Sequence, residues 1–330
     1  MPVGKETFPL GVLLLQLGTP SAPTRGALRT YLKQFLSDPR VVELPSFFRW
    51  LLVNGIILPS RVSYATRLYK KIWGPEGSPL LVHSEALGKE LQEALGSSYK
   101  VALGMRYGKP SIEEALHALL EHSPSHLKIL PLFPHYSSAV TGSALEETLR
   151  ILKKLRHIPS FEVIHDFFQH PAYIEALVQV IQPSLSTFHP EHLLFSYHGL
   201  PLSQARKSEG TPFCYSTQCK ETAKHVIHAL KWPEEKYSVS FQSRLGKLPW
   251  LQPYTENILS ELASRGIKRL AVISPSFVAD CLETLEEIDL RGREQWLQLG
   301  GEAFHTVPCL NTHPVWIQGL KKILLPPAII

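Results

Sequence analysis

The chain is poor in the features that would assign it quickly. It has only four cysteines among 330 residues, too few for a disulfide framework. No apolar run approaches the ~20 residues a membrane helix needs; Trp50-Leu51-Leu52-Val53 is broken by Asn54-Gly55. No G-x-G-x-x-G follows the first strand-like run and no G-x-x-x-x-G-K-[ST] is present, which argues against dinucleotide and P-loop sites. There is no H-E-x-x-H and no Cys-x-x-Cys, so a standard zinc site is not indicated. Charge of one sign is scarce: the net charge of +5 is spread thinly, which excludes nucleic-acid binding while permitting an anionic ligand or a loose membrane-surface contact. Lys5 and Glu6 precede a short apolar run with no cleavage site after it, so a cytoplasmic protein is expected. Histidine, with 15 copies, is the one excess, and it prompts a search for metal or proton chemistry.

What is present is a diverged duplication. Val12-Leu13-Leu14-Leu15 runs into Gly18-Thr19-Pro20, and Leu193-Leu194-Phe195 into Gly199-Leu200-Pro201. Met105-Arg106-Tyr107-Gly108-Lys109 resembles Ser243-Arg244-Leu245-Gly246-Lys247, each followed by a helical stretch, 111–121 or 255–265. Apolar runs then end at Pro134 and Pro275, and His170-Pro171 and His313-Pro314 each open a helix with proline in its first turn. Arg106 to Arg244, Pro134 to Pro275 and Pro171 to Pro314 are separated by 138, 141 and 143 residues, whereas Pro20 to Pro201 spans 181. The first half therefore holds an insertion of roughly 40 residues within 21–100.

Short apolar strands alternating with helices predict two Rossmann-like, doubly wound α/β domains with parallel sheets, over 1–168 and 169–330. A terminal helix over 314–325 is a candidate to pack back on the first domain. In such sheets ligands sit beyond the carboxyl ends of the strands, so the strand-end motifs of both halves are expected to face one cleft.

The copies are most informative where they differ. Aligning Pro20 with Pro201 sets Leu17 against His198, and aligning Pro134 with Pro275 sets Gly142 against Glu283. Only the second copy carries ionisable groups at these places. His198 reads either as a cleft residue or as a buried histidine bonded to backbone. The run 280–289 reads as a helix with Asp280, Glu283 and Glu287 at i, i+3 and i+7 on one face. Such a face is either a solvated acidic surface or, with His198, a donor set for Fe²⁺ or Zn²⁺. Arg106 and Arg244 hold equivalent positions, which suggests a shared structural role as readily as ligand contact. Trp250, between Pro249 and Pro253, is a pocket wall or a loop anchor. In the insertion, apolar residues from Leu44 to Leu58, bounded by Arg49 and Arg61, form either an apolar lip or an ordinary buried helix.

These residues carry a family resemblance. Phe195-Ser196-Tyr197-His198-Gly199-Leu200-Pro201, Phe241-Gln242-Ser243-Arg244, Pro249-Trp250-Leu251-Gln252-Pro253-Tyr254-Thr255 and the run from Phe277 to Glu287 resemble the signatures of ferrochelatase. So do Gln16-Leu17-Gly18-Thr19-Pro20, Ser37-Asp38-Pro39-Arg40, Glu76-Gly77-Ser78-Pro79 and Met105-Arg106-Tyr107-Gly108. The likeness runs from about residue 10 to 320 and is greatest to the Gram-negative bacterial branch. It implies a chelatase-like fold and insertion of Fe²⁺ into protoporphyrin IX, with coproporphyrin III metallation or a non-catalytic haem or iron carrier as alternatives. By the same resemblance His198 and Glu283 are the catalytic pair, and Asp280, Glu283 and Glu287 a carboxylate ridge with π-helical character. Arg61 and Ser78 would meet propionates. Tyr69, Arg106 and Trp250 would line the pocket, with Leu17 opposite the ring face. Cys281 and Leu17 depart from residues seen in some relatives, and Ser138 stands where animal enzymes carry a cluster cysteine. The chain also ends at Ile330 without their cysteine-rich extension, so no iron–sulfur cluster is expected.

Overall fold

The structure, a computed structural model, describes residues 9–246 and 248–325. Lys5, Glu6 and Lys247, used above, lie outside the described residues. Eight strands form: β1 (Leu10–Gly18), β2 (Tyr99–Tyr107), β3 (His126–Pro131), β4 (Ser160–Val163), β5 (His192–His198), β6 (Tyr237–Gln242), β7 (Arg269–Ile273) and β8 (Ala303–Thr306). They make two four-stranded sheets ordered β2-β1-β3-β4 and β6-β5-β7-β8, and all pairs are parallel. The same order in each sheet is the topological trace of the duplication. Strands β1 and β5 are central, and Val12–Leu15 and Leu193–Phe195 have no solvent exposure, as expected of strands covered on both faces.

Smaller features repeat as well. The helices Pro171–Phe188 and Pro314–Leu324 both start with proline, and in each the preceding histidine caps the first turn: His170 Nδ1 accepts from the Ala172 amide and His313 Nδ1 from Val315. A π-helical segment follows β3 (Ser138–Gly142) and another follows β7 (Glu283–Gly292); the first ends at the repeat position where the second begins. The insertion folds as helices Ser46–Leu52, Leu58–Ile72 and Pro79–Leu95, with a π turn at Val53–Ile57.

The halves share a core. One apolar cluster runs from Val12, Leu14 and Leu87 through Tyr173 to Phe195, Tyr197 and Trp316. The terminal helix Pro314–Leu324 packs on Pro171–Phe188 and also on Pro79–Leu95 of the first half, where Lys321 Nζ donates to the Ala94 carbonyl at 3.0 Å. Among the described residues no helix is long and apolar enough to cross a membrane.

Candidate active site

His198 is the last residue of β5, and its backbone is fixed from three directions. Its amide donates to Ser276 Oγ at 3.1 Å, its carbonyl accepts from the Tyr215 hydroxyl at 2.8 Å, and it stands in register with Gln242 on β6. Its ring Nδ1 lies 2.6 Å from the Gly199 carbonyl. A carbonyl only accepts, so Nδ1 carries the hydrogen and the neutral ring keeps its lone pair on Nε2. The rings of Phe277 and Trp250 flank it, with centroids at 6.3 and 6.5 Å. Trp250 is also a loop anchor, since its indole Nε1 donates to the Leu245 carbonyl at 3.0 Å. Gly199 is required here: a Cβ would come within 2.8 Å of the Gln242 carbonyl oxygen and 3.3 Å of the Trp250 ring. Its counterpart Gly18 sits still closer to β2, with a φ of +109°.

Gln242 ties this strand end to the acidic helix. Its side-chain oxygen accepts from Ser196 Oγ at 2.7 Å and its Nε2 donates to the Glu283 carbonyl at 3.4 Å. Ser243, the next residue, adopts a left-handed φ of +66°. That conformation is costly for a side chain with a Cβ. It aims both the Ser243 amide (2.8 Å) and hydroxyl (2.5 Å) at the Glu287 carboxylate. Burial raises the Glu287 pKa above the ordinary carboxylate value. The Ser243 hydrogen bonds and Arg291 oppose that, and the nearby Glu283 charge adds to it.

Glu283 faces the first half. Burial foremost, then neighbouring charges that include Glu283, pushes the hydroxyls of Tyr31 and Tyr69 upward, and burial followed by Glu283 does the same to the Cys281 thiol. Tyr69, buried on Leu58–Ile72, stands beside Thr19 and Tyr31, while the Ser78 hydroxyl lies 2.7 Å from Thr19 Oγ1. Half-buried Leu17 ends β1 just before this polar cluster. Arg61 is half-buried on the same helix as Tyr69 and has no ion-pair partner among the described residues. Leu17, Tyr69 and Ser78 thus gather at the end of β1, His198 and Trp250 gather at the end of β5, and Glu283 adjoins the first group.

Three expectations need correction. Asp280 is not a free ridge member. It precedes the π-helix, and its carboxylate accepts from Thr284 Oγ1 (2.9 Å), Asn311 Nδ2 (2.7 Å) and, at 3.4 Å, the Cys309 amide. It ties a loop to the start of the helix. Arg106 is likewise committed inside the first half, to Asp38 (2.7 Å) and to Ser143 Oγ (2.7 Å) and carbonyl (3.1 Å). Arg244 pairs with Glu256 in the second half. The solvated reading of the acidic face fails at Asp280, which is buried, whereas Glu283 and Glu287 are half-buried. Among the described residues no three of His, Cys, Asp and Glu converge to hold a metal ion.

Gln242, Ser243 and Asp38 carried no assigned role in the sequence. Asp38 is the buried hub of the first half, taking the Tyr107 and Ser143 hydroxyls at 2.8 and 2.5 Å, Arg106, and the Arg40 amide. Its motif was visible, but its side-chain partners lie 68 to 105 residues away.

Two parallel four-stranded sheets of one order make a duplicated α/β fold. Solved structures agree at the level of fold. The chain superposes on SirB from Bacillus subtilis with Fe³⁺ at a TM-score of 0.57, with 10% identity over 96% of each chain. It superposes on the sirohydrochlorin chelatase SirB from Bacillus subtilis subspecies spizizenii in complex with cobalt at 0.55, with 11% identity over 97% of each. Sequence comparison is more specific. The family profile Ferrochelatase matches residues 9–326. A ferrochelatase of Coxiella burnetii is 46% identical over 336 aligned positions, covering 97% of this chain and 94% of the relative. One of Legionella pneumophila is 48% identical over 329, covering 95% and 98%. The chain belongs to the ferrochelatase family.

Proposed function

We propose that the protein inserts Fe²⁺ into protoporphyrin IX to give protohaem, with His198 as the proton acceptor and the acidic π-helix handling the metal. Family membership makes it a metal-inserting enzyme of haem biosynthesis whose substrates are a porphyrin and iron. The observation that carries the residue-level reading is the Nδ1 hydrogen bond of His198, which leaves an Nε2 lone pair at the strand end where ligands of this fold class bind.

Metallation removes two pyrrole protons, strips water from the ion and brings it to the ring face. It needs no covalent intermediate. The Nε2 lone pair of His198 accepts a pyrrole proton, a role in which a general base typically contributes about 10²–10⁴-fold. Glu283 completes the site. Glu287, with its raised pKa, is suited to holding a proton in transit or a partly hydrated ion. Iron is a substrate and must leave the protein, which suits a sparse donor set better than a closed cage. Tyr69, Trp250 and Leu17 supply apolar walls, and Arg61 and Ser78 are the polar anchors for propionates. Asp280 serves by fixing the start of the helix. The reading includes no iron–sulfur cluster; Cys219 is spent in the shared core.

The location we propose is the cytoplasm, with a loose contact to a membrane surface through the insertion. Phe47, Phe48, Trp50 and Ile56 are 59–66% exposed, while Val53 and Leu58 anchor the same segment with no exposure. An outward apolar and aromatic patch beside Arg61 has the chemistry of an interfacial contact.

The test is anaerobic Fe²⁺ insertion followed by loss of porphyrin fluorescence, with protoporphyrin IX and coproporphyrin III compared and His198→Ala alongside. Turnover of protoporphyrin IX that falls at least a hundredfold in the variant supports the proposal. A clear preference for coproporphyrin III would change the substrate. Tight porphyrin binding with no catalysed insertion by the wild type would replace the enzyme by a carrier.

A further inference from the structure

Glu286 and Lys71 take no part in the chemistry proposed above. Among the described residues two ion pairs join the first half to the second. Lys207–Glu43, at 2.7 Å, is exposed on the lysine side and partly exposed on the other. Lys71–Glu286, at 3.0 Å, joins a half-exposed lysine to a carboxylate with no solvent exposure. The second oxygen of Glu286 takes Arg291 Nε at 2.7 Å. A carboxylate removed from water is strongly unfavourable unless paired on both oxygens, and here each oxygen has its own cation.

The spacing within the helix is informative. Glu286 and Arg291 are five residues apart. In an α-helix, residues three and four apart share a face, whereas a π-helix brings i and i+5 together. The pair therefore matches the π register of Glu283–Gly292. That register also decides where Glu283 and Glu287 point, since they lie four apart on the same helix. Lys71 comes from Leu58–Ile72, the helix that carries Arg61 and Tyr69. This helix has its own core of Leu28, Leu36, Val53, Leu58 and Val62, so it provides a firm post. The π-helix is the element in need of one, because extended π runs are rare and poorly self-supporting.

We propose that Lys71, Glu286 and Arg291 form a latch that holds the acidic helix in π register against the porphyrin-side helix. Lys71 and Glu286 are then positioning residues for the metal-handling carboxylates. The inference rests on the chelatase reading and goes beyond it by assigning residues that touch neither substrate.

The test is steady-state kinetics with Fe²⁺ and porphyrin varied separately, on Lys71→Met, Lys71→Arg and Glu286→Gln, together with amide hydrogen exchange. Lys71→Met is expected to raise the KM for Fe²⁺ about tenfold, equivalent to about 1.4 kcal/mol. The porphyrin KM should stay close to wild type while the Tm falls, because Glu286 loses one of its two cations, and Lys71→Arg should restore both the Tm and the Fe²⁺ KM. Exchange should rise in 283–292 and not in 58–72. An unchanged Fe²⁺ KM in folded Lys71→Met overturns the latch, as does an equal rise in both KM values. Should Glu286→Gln fail to fold, Lys71→Met still decides, since Lys71 is half exposed. Absence of turnover in the wild type would count against the chelatase reading alone, and the exchange pattern would then decide the latch.

Discussion

Gly199→Ala offers a direct test of how closely the site is built. A Cβ at this position lies 2.8 Å from the Gln242 carbonyl oxygen, 3.3 Å from Trp250 Cε3 and 3.7 Å from Phe241 Cβ. The first contact cannot relax by a side-chain rotation. That oxygen belongs to the backbone of β6 and already accepts the Gly199 amide at 2.8 Å. Restoring an ordinary contact of about 3.5 Å requires the ends of β5 and β6 to part by roughly 0.7 Å. Overpacking of this kind costs about 1–3 kcal/mol, so the variant should fold at 25 °C with a lowered urea midpoint. The displaced groups are His198, whose ring hydrogen-bonds the Gly199 carbonyl, and Trp250. A misplacement approaching 1 Å costs about 10²-fold in rate. Turnover in the anaerobic insertion assay should therefore fall by about 10- to 100-fold, well beyond the effect of the stability loss on a mostly folded sample. Gly26→Ala, on an exposed helical position with nothing within 4 Å, is the control and should leave turnover unchanged. Gly199→Ala with turnover and urea midpoint both at wild-type values would refute the strand-end geometry.

Burial raises the carboxyl pKa of Asp38, but hydrogen bonds from Ser143, the Arg40 amide and Tyr107, with the Arg106 charge, outweigh it and leave the pKa below its ordinary value. Its contribution to stability is complete above the unfolded pKa of about 3.9 and is lost as pH falls through the folded value. Asp38→Asn should thus be less stable at neutral pH and lose less between pH 5 and 3; parallel stability curves would contradict this. His135 is buried, with its pKa pushed down to about 3, and its Nε2 lies 2.9 Å from Thr222 Oγ1. The Thr222 hydroxyl donates to the Phe168 carbonyl, so Nε2 is the donor and the folded ring is neutral. Below pH 6.5 only the unfolded chain takes up the proton, so wild-type stability should fall by up to about 1.4 kcal/mol per pH unit through this residue. His135→Gln should flatten the profile between pH 6 and 4, measured by urea denaturation, and an unchanged slope would sink the assignment. Replacing Phe47, Phe48 and Trp50 with serine should weaken sedimentation with anionic vesicles and leave turnover of detergent-dispersed porphyrin near wild type; equal sedimentation would remove the membrane contact.

The fold was legible because the duplication repeats its punctuation. Apolar runs ending at Gly-x-Pro, arginine motifs before helices and His-Pro helix starts recur in order, and the two sheets repeat one strand order. The Leu17 and His198 contrast marked the strand end where the Nε2 lone pair is found. Asp280 misled because carboxylates at i, i+3 and i+7 look alike whether free or bonded, and its partner Asn311 lies 31 residues further on. The π register of 283–292 was implied by the family resemblance alone, since a pattern read with a 3.6-residue period carries no sign of it, and the burial of Glu286 had no signal. Ser243 hid its left-handed backbone, since glycine, not serine, announces that conformation. The apolar insertion could be lip or core because hydrophobicity alone does not reveal which face lacks a partner; Val53 and Phe47 differ only in what covers them.

The two π segments explain why one copy can remain inert. In the first half, Ser138–Gly142 carries no acid, and the Arg40 guanidinium comes within 3.2 Å of the place a Cβ would take on Gly142. In the second, the equivalent position is Glu283, at the head of a ten-residue π run. Under the proposed chemistry a porphyrin has one metal cavity, filled once, and its protons leave once. A second buried carboxylate and imidazole opposite the first would add their desolvation cost without a second reaction to serve. Leu17, the counterpart of His198 in the repeat, would on that reading give an apolar wall for the ring while charge moves at His198. On that reading the duplicated scaffold presents two strand ends to one ligand, and the imidazole and the acidic π-helix belong to only one of them.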